Sequence, residues 1–196
     1  MNYLGHIYLS FDDHELATAN LFGDFVKGKN LSHLPATAQL GIQLHREIDS
    51  FTDQHGAVKE ILQLIRQDLP KVAPIAIDLI FDHLLAKNWN DFHNNNLDDF
   101  LAGFYNAIAI HQASYPENFQ LFAKNLVAYN WIAHYPTLNG LTKMSHGVSK
   151  KLSFENALTA TPTVFLQHEK AIKKHFDFFI SDATEHFNDF KLRNLM

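Results

Sequence analysis

The sequence predicts an all-α protein, folded as one compact multi-helix domain over residues 1–196. Three observations carry that expectation. Alternating apolar and polar runs bounded by tight turns are scarce, and Asn139-Gly140 is the only Asn-Gly pair. Proline and glycine instead divide the chain into segments of helical length. The composition, 46% hydrophobic and 19% charged, is that of a globular chain without low-complexity segments.

The elements follow in order. A first helix is expected from about Asp13 to Val26, with Gly23 inside it and Gly28 just beyond. Pro35 stands where a helix accepts proline, in the first turn. It opens a segment to His55 that places Ile42, Ile48 and Phe51 on one side, closed by Gly56. A shorter helix covers Ala57 to Gln67 and stops before Pro70. Pro74 opens another, to about Trp89, followed by the polar break Asn94-Asn95-Asn96. Leu97 to Ala113, Pro116 to His134 and Leu138 to Leu152 come next, the last of these interrupted by Gly140 and Gly147. The final segment, Pro162 to Leu192, is long enough to kink or split near Ser181. This makes about seven to nine helices.

Composition excludes several functions. With no cysteine there is no disulfide, thiol nucleophile or thiolate-bound metal. A net charge of −5 argues against a nucleic-acid partner. The N-terminus MNYLGHIYLS lacks a cationic leader, and apolar runs are broken well before 18 residues, so a soluble cytoplasmic protein without a membrane partner is expected. P-loop, Gly-x-Gly-x-x-Gly and Gly-x-Ser-x-Gly patterns are missing.

Chemistry concentrates in three clusters. His45, Asp49 and Asp53 recur at intervals of four, which puts them on one stripe of a helix, with Arg46 beside them. Imidazole and carboxylates on a common face make half a site for a divalent metal, and a guanidinium suits a phosphate. Solvated i,i+4 charge pairs give the same spacing. Asp78, Asp82 and His83 lie in a segment apolar nearly all round, where charges are expensive unless paired or bound to a cation. Asp24 sits between Leu21-Phe22 and Phe25-Val26, and His6 could fold back towards it. Lys143, Lys150 and Lys151 form a small basic patch that could meet an anion or an acidic partner.

In this order the motifs resemble a known family. They are Met1-Asn2-x-Leu4-x-His6, Asn20-Leu21-x-Gly23-Asp24-Phe25-Val26-Lys27-Gly28, Gly41-Ile42-x-x-His45-Arg46-x-Ile48-Asp49-x-x-Thr52-Asp53, and Ala73-Pro74-Ile75-x-x-Asp78-x-x-x-Asp82-His83, closing with Trp89. They are similar to those of the acyl carrier protein phosphodiesterases, or acyl carrier protein hydrolases. The likeness is strong over residues 1–90. It is weaker beyond, where Leu138-Asn139-Gly140 and Gly147-x-Ser149-Lys150-Lys151 resemble a basic loop of the family.

The resemblance implies a helical, HD-domain-like metallohydrolase using a divalent metal, typically Mn²⁺, with Mg²⁺, Fe²⁺ or Co²⁺ as alternatives. The implied reaction hydrolyses the phosphodiester between 4′-phosphopantetheine and a serine of holo-acyl carrier protein. The adjacent pair reads Asp82-His83, the reverse of the HD order. On this basis the metal is expected at Asp24, His45, Asp82 and His83, with Asp49 as a further ligand. Asp53 and Asp78 would orient ligands or water, Arg46 would hold a phosphoryl oxygen, and His6 would protonate the leaving serine. Lys143, Lys150 and Lys151 would dock the acidic carrier protein. Two alternatives stand beside this: an HD-type phosphohydrolase acting on a small nucleotide, and a non-catalytic helical binding module.

Overall fold

The computed structural model describes residues 1–195, and their regular structure is all helical, with no strand among them. Nine α-helices follow one another in the described chain: α1 (Tyr3–Tyr8), α2 (His14–Phe22), α3 (Ala36–Gln54), α4 (Gly56–Ile65), α5 (Ala73–Lys87), α6 (Leu97–His111), α7 (Glu117–Tyr129), α8 (Leu138–Ser149) and α9 (Thr161–Leu195). Short 3₁₀ turns join several of them.

α5 forms the centre. Ile77, Leu79, Ile80, Phe81, Leu84 and Leu85 are buried around its whole circumference, as its uniformly apolar sequence requires. α1, α4, α8 and α9 pack around it. α9 buries Phe176 and Phe179 against Phe81, with ring centroids 5.2 and 4.8 Å apart. One continuous hydrophobic core runs through all nine helices.

Two departures from the expected elements shape the site. Residues 3–8 form a helix the sequence does not announce, because six residues are too few to display a 3.6-residue period. The expected helix over 13–26 ends at Phe22 and passes into a 3₁₀ turn, Gly23–Phe25. There the chain runs so close to α3 that a Cβ on Gly23 would overlap the His45 side chain. Two further differences are local. α7 stops at Tyr129 because Asn130 takes the left-handed conformation, φ 44°, that terminates helices. α9 passes Ser181 without a break, since its inward Phe stripe keeps one register along α4 and α5.

α2 and α3 lie in close contact. Gly41 makes this approach, since a Cβ there would overlap Ala19 and the backbone of α2. Asn20 and His45 are thereby brought within hydrogen-bonding range.

Candidate metal centre

α1 positions the first ligand candidate, and α5 holds α1 in place. The Asp82 carboxylate, fully buried, accepts the Leu4 N–H at 2.8 Å and the Gly5 N–H at 3.0 Å. These are donors that the first turn of a helix leaves unpaired. The N-terminal ammonium of Met1 adds an ion pair to Asp78 at 2.9 Å. Held at both points, α1 turns His6 inward, where it is 3% exposed.

His6 stacks on His45 with centroids 4.3 Å apart and planes 18° from parallel. Asp49, one turn after His45 on α3, spans both rings. Its Oδ1 lies 3.3 Å from His6 Nε2 and its Oδ2 lies 3.3 Å from His45 Nε2. Asp24 in the 3₁₀ turn brings Oδ1 to 3.4 Å from His45 Nε2. One ligand atom each from His6, His45 and Asp49 falls within 4.8 Å of the others, the arrangement a single cation needs.

Asn20 decides what those atoms can do. Its Nδ2 donates to the His6 carbonyl at 3.1 Å and to Ser10 Oγ at 3.2 Å, while Ser10 Oγ itself donates to the same carbonyl. Asn20 Oδ1 is therefore an acceptor, and both Nδ1 atoms must donate to it: His6 at 3.0 Å and His45 at 3.2 Å. Burial holds the His6 imidazole below its ordinary pKa, with the His45 ring and N-terminal ammonium adding to that effect against the pull of Asp49. Burial also opposes the Asp49 charge, but the two rings and the ammonium outweigh it and keep this carboxyl below its usual range. With both Nδ1 atoms taken by Asn20, Nε2 is the atom that each ring turns towards the carboxylate oxygens. The Met1 carbonyl lies 3.1 Å from His6 Nε2. Imidazole nitrogens and carboxylate oxygens gathered this closely are a ligand set that fits a divalent metal.

The other expected site residues have different placements. Asp82 is not among the converging atoms, because both its oxygens are engaged by α1. Burial pushes its pKa up to about 7, while the N-terminal ammonium and the two N–H donors act to lower it. His83 points elsewhere: Nδ1 meets the Tyr135 carbonyl at 2.7 Å, the ring stands edge-on to Phe165, and Nε2 is buried without a partner. Neither belongs to the group of converging ligand atoms formed by His6, His45 and Asp49. An Asp-His pair in a buried helix reads as a ligand pair, but adjacent residues point about 100° apart. Arg46 Nη2 donates to the carbonyls of Val26 (3.3 Å) and Gly28 (2.7 Å) and ties down the loop after Asp24.

A cavity of about 360 Å³ opens over the cluster. His6, Asp24 and Asp49 line it, together with Asp53 and Asp78. Thr52, 3% exposed, shares the wall and carries a buried hydroxyl with no partner. Asn2 and Val148 belong to this cavity and to a second one of about 290 Å³, walled by Tyr3, Trp131, Tyr135 and Met144. Lys143 and Lys151 line the second cavity, and Lys150 is exposed beside them. Asn20 and Thr52 were visible in the motifs, but nothing in the sequence separates an Asn that aligns two imidazoles from one that caps a helix.

Comparison with known proteins places the chain in a family. The profile of the family described as acyl carrier protein phosphodiesterase matches residues 1–183. The acyl carrier protein phosphodiesterase of Yersinia pestis is 29% identical over 90% of this chain and 92% of that protein. Those of Photorhabdus laumondii and Pectobacterium atrosepticum are each 30% identical over 86% of this chain, covering 85% and 88% of their own lengths. No solved structure matches the chain significantly. The acidic cavity and its His6–His45–Asp49 core thus sit within the stretch matched by that profile, and the chain belongs to the acyl carrier protein phosphodiesterase family.

Proposed function

We propose that this protein hydrolyses the phosphodiester linking 4′-phosphopantetheine to the serine of holo-acyl carrier protein. Apo-carrier protein and 4′-phosphopantetheine would be released. The observation that carries the mechanism is the convergence of His6 and His45 Nε2 with the Asp49 and Asp24 carboxylates. These four residues would hold the divalent metal, with Mn²⁺ as the first choice. When bound, the cation neutralises the phosphodiester charge and makes a water nucleophilic.

The chain's own groups account for the rest. Asn20 keeps both rings protonated on Nδ1, so neither can swing away from the cluster. Asp53, exposed on the cavity wall, is placed to pass protons between the site and solvent. Asp78 holds the Met1 ammonium at the cavity edge, a cation near the incoming phosphate. His6 now joins the ligands, and the leaving serine takes its proton from another source. Lys143, Lys150 and Lys151 would steer the acidic carrier protein.

The test is mass spectrometry of holo-carrier protein after incubation with the enzyme and Mn²⁺. Loss of the prosthetic group, blocked by EDTA and restored by Mn²⁺, is the expected result. An unchanged carrier, with phosphate released from free nucleotides instead, would replace this reading with the small-substrate one.

A further inference from the structure

The second cavity has a different character from the first. The acidic cavity gathers charge; its neighbour presents the rings of Tyr3, Trp131 and Tyr135 with Met144 and Val148. Asn2 and Val148 line both, so a charged cavity and a mostly apolar one lie side by side across a shared wall. A phosphodiester held in the charged cavity has two substituents. One is the serine of a folded protein, too bulky for either cavity. The other is a slender chain of a geminal dimethyl, two amides and a thiol. That chain matches a site of apolar walls with a few polar groups.

Resting on the phosphodiesterase reading, we propose that the cavity bounded by Tyr3, Trp131, Met144 and Val148 binds the pantetheine arm of the substrate, leaving the carrier protein at the mouth of the acidic cavity. Lys143 and Lys151 then lie on the rim beside the carrier. Binding along the arm supplies affinity remote from the reacting phosphorus, and it sets the phosphate over the cation cluster.

Gly147 gives a clean probe. It lines this cavity from within α8, and a Cβ added there meets no atom within 4 Å. Gly147→Leu therefore fills the space while favouring the helix. The ligand is S-methyl-pantetheine, which has neither phosphate nor free thiol. The signal is tryptophan emission, since Trp131 walls the cavity and the other tryptophan, Trp89, is buried away from it. Saturable quenching in the wild type, weakened at least tenfold in Gly147→Leu, is the expected result. The variant's preference for holo-carrier protein over bis(p-nitrophenyl) phosphate should fall by a similar factor. No saturable response in the wild type, or equal responses in both proteins, overturns the assignment. Carrier cleavage is followed separately. Selective probe binding with no cleavage leaves the cavity standing and removes the phosphodiesterase reading, whereas cleavage with no probe binding does the reverse.

Discussion

At the scale of single residues, Asn20 governs how the two imidazoles are presented at the site. Asn20→Ala would leave two buried Nδ1–H groups unpaired and free the His6 and His45 rings to flip. Partners of this kind are worth 10–100-fold in metal affinity. Mn²⁺ titration by calorimetry should show a loss of about that size, with nitrogen NMR reporting mixed imidazole tautomers; unchanged affinity would detach Asn20 from the site. His45→Ala should go further and abolish turnover while the helical circular dichroism persists. Asp82 makes a different prediction. Its carboxyl titrates near 7 when folded, from an ordinary value of 3.8. The folded state therefore holds a proton that the unfolded chain has lost between those values, and this group's contribution to stability falls as pH rises through that window. Asp82→Asn removes the titration. The stability of the variant relative to wild type should improve by up to a few kcal/mol between pH 4 and pH 8, as read from denaturant midpoints; a constant difference would refute the shift. Asp82 also marks a limit of what sequence can show. A buried acid on an apolar helix reads correctly as a charge needing a partner, but that the partner is two backbone N–H groups 77 and 78 positions away is visible only in the fold.

At the scale of elements, glycine separates contact from space. Gly41 lets α2 and α3 meet, and Gly23 lets the 3₁₀ turn pass His45. Gly41→Ala should cost about 1–3 kcal/mol by overpacking and should weaken Mn²⁺ binding too, since α2 carries Asn20. Gly147→Ala, in an open stretch of α8, should instead stabilise by up to about 1 kcal/mol. Thermal melts of the two variants would shift in opposite directions, and a shared direction would contradict the packing described. The long helices were legible because proline, glycine and the apolar period coincide, as over Ala36–Gln54 and Ala73–Lys87. α1 was not, because its stability comes from α5 and the Met1–Asp78 pair, and local propensity contributes little to it. The stripe of His45, Asp49 and Asp53 was readable for the same reason α3 was; the inward turn of His6 depends on α1 and was not.

At the scale of the whole molecule, the predictions concern linkage and charge. A cation bound only by the folded state raises its stability by mass action, about 2.7 kcal/mol at a hundredfold excess over Kd. Melting temperature should rise with Mn²⁺ in the wild type and stay flat in His45→Ala. The Lys150→Glu, Lys151→Glu double variant should lose kcat/KM on holo-carrier protein at low salt and approach wild type at high salt, because surface charges act through the encounter rate. Equal losses on a small phosphodiester would place the docking surface elsewhere. No helix among the described residues is long and apolar enough to cross a membrane.

The Asp82 clasp on Leu4 and Gly5 also imposes an order in time. During synthesis His6 and its partner Asn20 emerge early, yet the carboxylate that clasps α1 follows Gly5 by 77 residues. The nascent chain therefore passes through a long interval in which α3 can offer His45 and Asp49 but the first imidazole still wanders. A cation captured early would have two or three ligands and leave readily. On the proposed ligand set, competence arrives late, when the closing of α1 onto α5 would fix His6 beside His45 and Asp49, and a chain halted before Asp82 should bind metal weakly at most.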